Sequence, residues 1–185
     1  MDIFIEEMVS RKKDKKDFLK ISCMAWGALV LSIVIAILMI SVITVSFYIG
    51  YMLRMLGPII IILIWIFAYR MYQQLNVEYE YSIVNSSLDI DKIISKRDRK
   101  RVASLDIKDI SLMACVDDEE NNGEYKGISK NIEVHDCTSN TDDKKIYFID
   151  YTVSGKRQFV LFQPSEKMAK ELSRFNTKAV KLYNA

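Results

Sequence analysis

The chain has 185 residues, half of them apolar, and 26 Lys or Arg against 24 Asp or Glu. That length allows about one domain of ordinary size, and the near balance of 18 Lys or Arg with 19 Asp or Glu in residues 73–185 argues against general nucleic-acid affinity. The three cysteines, Cys23, Cys115 and Cys137, are odd in number; one falls in a long apolar stretch and two in a region expected to be cytoplasmic, a compartment in which stable disulfides are not expected.

The first ten residues, MDIFIEEMVS, carry Ile3, Phe4, Met8 and Val9 at roughly helical spacing. They read either as a short helix lying on the inner leaflet or as a soluble leader that only sets topology. Next comes a run with six basic residues, Arg11, Lys12, Lys13, Lys15, Lys16 and Lys20. Between residues 21 and 72 only Arg54 and Arg70 are charged, a segment too long and too apolar for a soluble core helix. As helix it would run roughly 80 Å, more than twice the hydrocarbon thickness of a bilayer, so it should cross twice. The stretch GYMLRMLGP (residues 50–58) gathers two glycines, a proline and Arg54 and predicts the turn. The helices then cover about residues 21–49 and 55–72, the second starting as early as Met52. Trp26, Tyr48, Tyr51, Tyr69 and Tyr72 fall near the proposed ends, where aromatic rings suit the membrane interface.

Ala28, Ser32 and Ala36 recur every four residues and predict a face for close helix packing, on the second helix of the same chain or on another copy. Six basic residues precede the first helix and one lies in the turn. The positive-inside bias therefore predicts a multi-pass protein of the inner (plasma) membrane with both termini cytoplasmic. No cleaved signal peptide is expected. Neither span holds Asp, Glu, Lys or His, so transport by this chain alone is not expected.

Residues 73–185 form a second region with 18 Lys or Arg and 19 Asp or Glu. Val77, Tyr79, Tyr81 and Ile83 alternate with polar residues as in a strand with one wet face. After an NSS turn, LDIDKIIS and RVASLDI read as strands flanking the basic stretch KRDRK, and adjacent Ile93 and Ile94 mark a bulge. Lys96, Arg97, Arg99, Lys100 and Arg101 put five cations in six positions. They sit on a solvated turn, and on a membrane-tethered domain that turn is a candidate contact for anionic headgroups. Ile110, Leu112, Ala114 and Val116 give a fourth strand, and residues 116–131 a polar loop. Its acids at 117–120 lack the ligand spacing of a calcium loop. NIEVHDCTS, KIYFIDYTV and KRQFVLFQ complete about seven strands, the last two joined by a Ser154-Gly155 turn. Beyond Pro164, Ser165 is placed to cap a helix whose apolar stripe is Met168, Leu172, Phe175 and Ala179. The fold class expected is an α+β membrane protein: a two-helix transmembrane hairpin, then a bent antiparallel sheet or partial barrel with a C-terminal helix.

The opening pair YEYSIVNSSLDIDKI, the basic tip, RVASLDIKDI and the closing GKRQFVLFQPSEKMAKEL resemble, in this order, a bacterial pleckstrin-homology-like domain. Two helices ahead of such a domain are similar to small membrane proteins of Gram-positive bacteria. The resemblance implies a binding or scaffolding module without an active site. The phosphoinositide site of the eukaryotic relatives lies between their first two strands, whereas the basic tip here falls between the second and third strands predicted.

An enzyme reading would rest on His135 and Cys137, on one face of one strand. One His with one Cys supplies neither a complete metal site nor a nucleophile with its base. No phosphate-binding glycine loop, paired-Cys zinc motif or serine elbow appears, and no cofactor is expected. The function expected is a non-catalytic module that positions a protein partner at the membrane, with the lipid bilayer itself as the alternative ligand.

Overall fold

The computed structural model describes residues 4–41, 47–118, 120, 121, 123–127, 132–141, 144–153 and 155–183. The chain divides into two compact units, one of residues 13–76 and one that joins residues 1–12 to 77–185.

The first unit is a pair of helices, α1 (Lys15–Ser41) and α2 (Phe47–Gln74). α1 and the Arg54–Gln74 part of α2 are each long and apolar enough to cross a membrane. The expected turn at residues 50–58 is helical instead, and the connection lies at residues 42–46, outside the described residues. Pro58 sits inside α2, where its ring nitrogen cannot donate to the carbonyl of Arg54. The other groups of the segment keep their helical bonds, which outweighs the local turn chemistry of Gly and Pro in an apolar setting. α1 begins six residues before the expected start at residue 21, because Asp14 and Asp17 cap it: the Asp14 Oδ1 accepts from the Lys15 amide at 2.7 Å.

Ala28 and Ser32 lie on the covered line of α1 with Ile35 and Met39, while Ala36 is exposed. A repeat of four drifts around a 3.6-residue helix, and the line i, i+4, i+7, i+11 stays on one face. The small-residue packing point is Gly57 on α2, where a Cβ would run into the Met39 side chain.

The second unit holds two four-stranded sheets. The first, in order β1-β2-β3-β4, is antiparallel throughout: β1 (Phe4–Ser10), β2 (Val77–Val84), β3 (Ser87–Ile94) and β4 (Asp98–Asp106). Neither reading of the first ten residues survives, since Phe4–Ser10 is an edge strand. β1 turns Ile5, Glu7 and Val9 inward and pairs along its whole length with β2, from Phe4 opposite Val84 to Ser10 opposite Glu78. The helix pair is thus inserted between two neighbouring strands of one sheet, and the Arg11 amide still donates to the Val77 carbonyl at 2.9 Å.

The second sheet runs β5-β7-β8-β6: β5 (Ile110–Cys115), β6 (Glu133–Asp136), β7 (Tyr147–Val153) and β8 (Lys156–Phe162). Seven of the eight described strands, β2 to β8, fall within residues 73–185, where about seven were expected, and the eighth is β1 from the leader; β6 lies parallel to β8 where an antiparallel neighbour was expected. Gly155 takes the left-handed conformation in the β7–β8 turn (φ 76°), and Ser154 is outside the described residues. Between β5 and β6 a single helical turn, α3 (Gly123–Lys126), interrupts the expected loop. Its Tyr125 stacks on Phe148 at 5.6 Å and shields the outer face of the second sheet together with Leu112 and Ile132.

The main core fills the space between the sheets with Tyr81, Ile83, Leu88, Ile90, Ile149, Val160 and Phe162. α4 (Glu166–Phe175) adds Met168 and Leu172 to it. Ser165 is its N-cap, accepting from the Met168 amide at 3.2 Å, as its position before the apolar stripe predicts. Glu7 of β1 in turn accepts from the Ser165 amide at 2.9 Å and from its hydroxyl. The helix ends at Phe175, so Ala179 is not part of it. Asn176 caps the end and bonds to the Ile107 and Ile110 carbonyls, and Val180 then bridges to Met113 at the β5 edge.

Candidate binding surface

The outer face of the first sheet and its basic tip are the features most able to meet a partner. The tip turns at Ser95 and Lys96, both left-handed (φ 56° each), and the Arg97 amide donates to the Ile94 carbonyl at 3.1 Å. Only Lys96 and Arg97 of the five predicted cations therefore sit in the turn. Arg99, Lys100 and Arg101 belong to β4.

A register shift opposite Ile90 and Asp91 decides where those side chains go. Ile90 faces Ala103 and Asp91 faces Arg101, which leaves Val102 as the extra residue. Ile93 and Ile94 keep unbroken register with β2, so the bulge expected there lies on the neighbouring strand. Ala103 and Leu105 point into the core; simple alternation would have sent Arg101 inward as well. The bulge turns Arg99 and Arg101 to the outer face, onto Glu80, Asp89 and Asp91. Arg99 bonds the Glu80 carboxylate and lies 3.9 Å from Asp91, and Arg101 lies 3.3 Å from Asp91 and 3.5 Å from Asp89.

Glu80 and Asp91 are each only 8% exposed in their side chains, so these arginines neutralise carboxylates that water barely reaches. Lys96, Arg97 and Lys100 have no ion pair among the described residues. Replacing Arg99 and Arg101 with Gln is expected to destabilise the domain by about 1–3 kcal/mol, the arginines themselves being half exposed. Gln at Lys96, Arg97 and Lys100 is expected to stay within about 0.5 kcal/mol. Thermal denaturation of the two triple and double variants beside the parent distinguishes these outcomes.

On the same outer face stand apolar residues that nothing described covers. Phe4 is 67% exposed and opposite Val84, itself 45% exposed, and Met8, 57% exposed, faces Glu80. Sequence reasoning missed this grouping, because β1 and β2 lie on either side of the helix pair in the chain. The alternation of Phe4, Glu6 and Met8 with Ile5, Glu7 and Val9 was the available signal.

His135 and Cys137 differ in setting. His135 is partly exposed, 3.6 Å from Glu133. Cys137 is in the core, past the end of β6, its amide bonded to the Leu161 carbonyl at 2.9 Å and its carbonyl accepting from the Tyr81 hydroxyl at 2.5 Å. Burial, and next the Asp136 carboxylate, push its thiol up to about 12, the opposite of what a nucleophilic thiolate needs. Burial likewise holds the Cys115 thiol above its ordinary value. No three His, Cys, Asp or Glu side chains among the described residues converge on a metal site. Of the acids at 117–120, Glu119 lies outside the described residues. Asp118 accepts from the Glu120 amide and the Asn121 side chain, which makes it a turn cap.

An open cleft of about 700 Å³ lies beside the start of α4, lined among others by Lys144, Lys145, Lys170, Tyr147 and Tyr183. Its cations are partly engaged: the Lys145 ammonium sits over the Tyr183 ring at 4.0 Å, and Lys170 lies 3.9 Å from Glu166.

The family described as Bacterial PH-like domain (DUF6106) matches residues 1–182. The match runs through β1 and both apolar helices, so the helix pair falls inside the family unit. No curated protein and no solved structure matches the chain.

Proposed function

We propose, from the premise that the chain belongs to the Bacterial PH-like domain family, that it is a membrane-anchored, non-catalytic module that positions a protein partner at the cytoplasmic face of the inner membrane. The observation that carries this reading is the insertion of the helix pair between β1 and β2. Adjacent hydrogen-bonded strands must lie on the same side of a bilayer. Helices that span it between such strands therefore cross an even number of times, and the basic run before α1 supports the cytoplasm as that side. The domain is then joined to the membrane by two short links, residues 11–14 and 75–76, instead of one flexible tail. Two links suit a platform whose task is to hold something in place.

Support for a protein partner comes from the exposed Phe4, Met8 and Val84 beside Glu6 and Glu78, a mixed apolar and acidic surface of the kind that partners bury. A second reading, contact of the basic tip with anionic lipid, is favoured by the unpaired Lys96, Arg97 and Lys100. Arg99 and Arg101 count little toward it, since their charge is matched by Glu80, Asp89 and Asp91.

The test is purification of the tagged full chain in mild detergent beside a tagged helix pair of residues 13–76, with co-purifying proteins identified by mass spectrometry. The expected result is a protein retained by the full chain alone and lost on Phe4→Ser and Met8→Ser substitution. Identical or empty sets of retained proteins overturn the partner reading.

A further inference from the structure

We propose that the base of the helix pair holds the phosphate of an anionic phospholipid against Lys13, Lys16 and Lys20. The proposal rests on reading α1 and α2 as membrane-spanning, and it shifts the lipid contact from the β3–β4 tip to the helices themselves.

The acids of the basic run already serve the helix start. Asp14 accepts from the Lys15 amide at 2.7 Å, and Asp17 accepts from the Asp14 amide at 3.2 Å, the second of these being the returning half of a capping box. The lysines between and beyond them have other surroundings. Lys16 and Lys20 are exposed, one helical turn apart on the same flank of α1, and have no ion pair among the described residues. The Lys13 ammonium lies 4.0 Å from the centre of the Tyr72 ring near the end of α2. A cation–π contact of this kind fixes its position where the two helices begin and end.

Depth follows from the sequence. The uncharged stretch of α1 starts at Ile21, directly after Lys20 and five residues after Lys16, so these ammonium groups lie at the level of lipid phosphates, and the Lys13 ammonium is held over Tyr72 near the end of α2. Three cations around the start of α1, two on one flank of the helix and one held over Tyr72, favour a headgroup with net negative charge. A zwitterionic headgroup brings its own cation, which cancels most of the attraction. At the β3–β4 tip, by contrast, two of the five cations are matched by carboxylates.

The experiment uses the full chain in nanodiscs of phosphatidylcholine with a minor fraction of phosphatidylglycerol, and counts the lipids that stay bound by native mass spectrometry. The parent is expected to hold phosphatidylglycerol in excess of its share. K13Q/K16Q/K20Q is expected to lose that excess by about tenfold or more, K13R/K16R/K20R to keep it, and K96Q/R97Q/K100Q to match the parent. Retention in the Gln variant of the base, or loss in the tip variant, overturns the proposal. Carbonate washing of membranes separates the two levels of failure. A parent chain released by carbonate overturns the membrane reading itself. One that resists carbonate and yet holds phosphatidylglycerol no better than phosphatidylcholine overturns this proposal alone.

Discussion

A fragment of residues 77–185 is expected to melt at least about 10 °C below the same domain carrying residues 1–12. The fragment has lost β1, and with it a full ladder of hydrogen bonds to β2, the buried Val9 and the half-buried Ile5, and the Glu7 carboxylate that holds Ser165 at the start of α4. Burial of one aliphatic side chain contributes about 1.5–3 kcal/mol, and a lost cap costs about 1 kcal/mol. The sum is a large part of the stability of a domain this size, where each kcal/mol moves the melting temperature by several degrees. The converse is as informative. Because β1 and β2 are antiparallel neighbours, strands about 5 Å apart, a short Gly/Ser loop from Lys12 to Val77 can replace the helix pair. That chimera is expected to be soluble, folded and as stable as the domain in the full chain. Circular dichroism melts of fragment and chimera decide it, and equal melting of the two would show that β1 contributes nothing.

Gln163→Leu is expected to cost about 2–4 kcal/mol, the largest effect of any substitution that leaves side-chain volume nearly unchanged. Gln163 is fully buried. Its Oε1 accepts from the Ser139 amide at 2.7 Å and from the Ser139 hydroxyl at 2.5 Å, and its Nε2 donates to the Thr141 and Lys144 carbonyls. Leucine fills the space and satisfies none of these groups, and a buried polar group stripped of its partner costs about 1–3 kcal/mol. Tyr81 joins the same network, donating to the Cys137 carbonyl and accepting from the Gln163 amide. Burial, chiefly, raises its hydroxyl pKa far above the ordinary value, so it stays a donor at every pH a cell meets. Tyr81→Phe is expected to cost about 1–2 kcal/mol, and the double variant less than the sum, because leucine keeps the backbone amide that Tyr81 accepts from but both side chains hold the same Cys137–Ser139 segment. Urea titrations of the three variants measure the coupling. Additivity within about 0.3 kcal/mol would show that the network does not act as a unit.

The parts of this fold that sequence makes legible are those in which one stretch carries its own pattern. Val77 to Ile83 alternates and is a strand with those residues inside. Ser165 precedes an apolar stripe and caps a helix. β1 was hidden for a physical reason. Its inward set places Glu7 between Ile5 and Val9, and its outward set carries Phe4 and Met8, so the polarity of the two faces is nearly reversed and its partner is far away in the chain. At residues 50–58 the signals were clear and misleading, since Gly and Pro break helices in water, where a freed carbonyl finds a new partner, and α2 is apolar around them. The tip shows a third limit. Composition counted five cations, but the single unpaired residue Val102 sends Arg99 and Arg101 to acids, and no local pattern reports a one-residue shift.

The position of the helix pair also sets the order of events during synthesis. Phe4 pairs with Val84, 80 residues later, so β1 leaves the ribosome well before its partner exists and waits unpaired while both helices are made. With α1 and α2 read as crossing a membrane, as proposed above, the sheet can close only once α2 has brought the chain back to the side on which β1 was left. On that reading, a chain in which only one helix inserts strands β1 across the bilayer from β2, and the domain stays incomplete and open to proteases. On the membrane-spanning reading, a finished domain thus excludes a chain in which only one of the two helices has crossed.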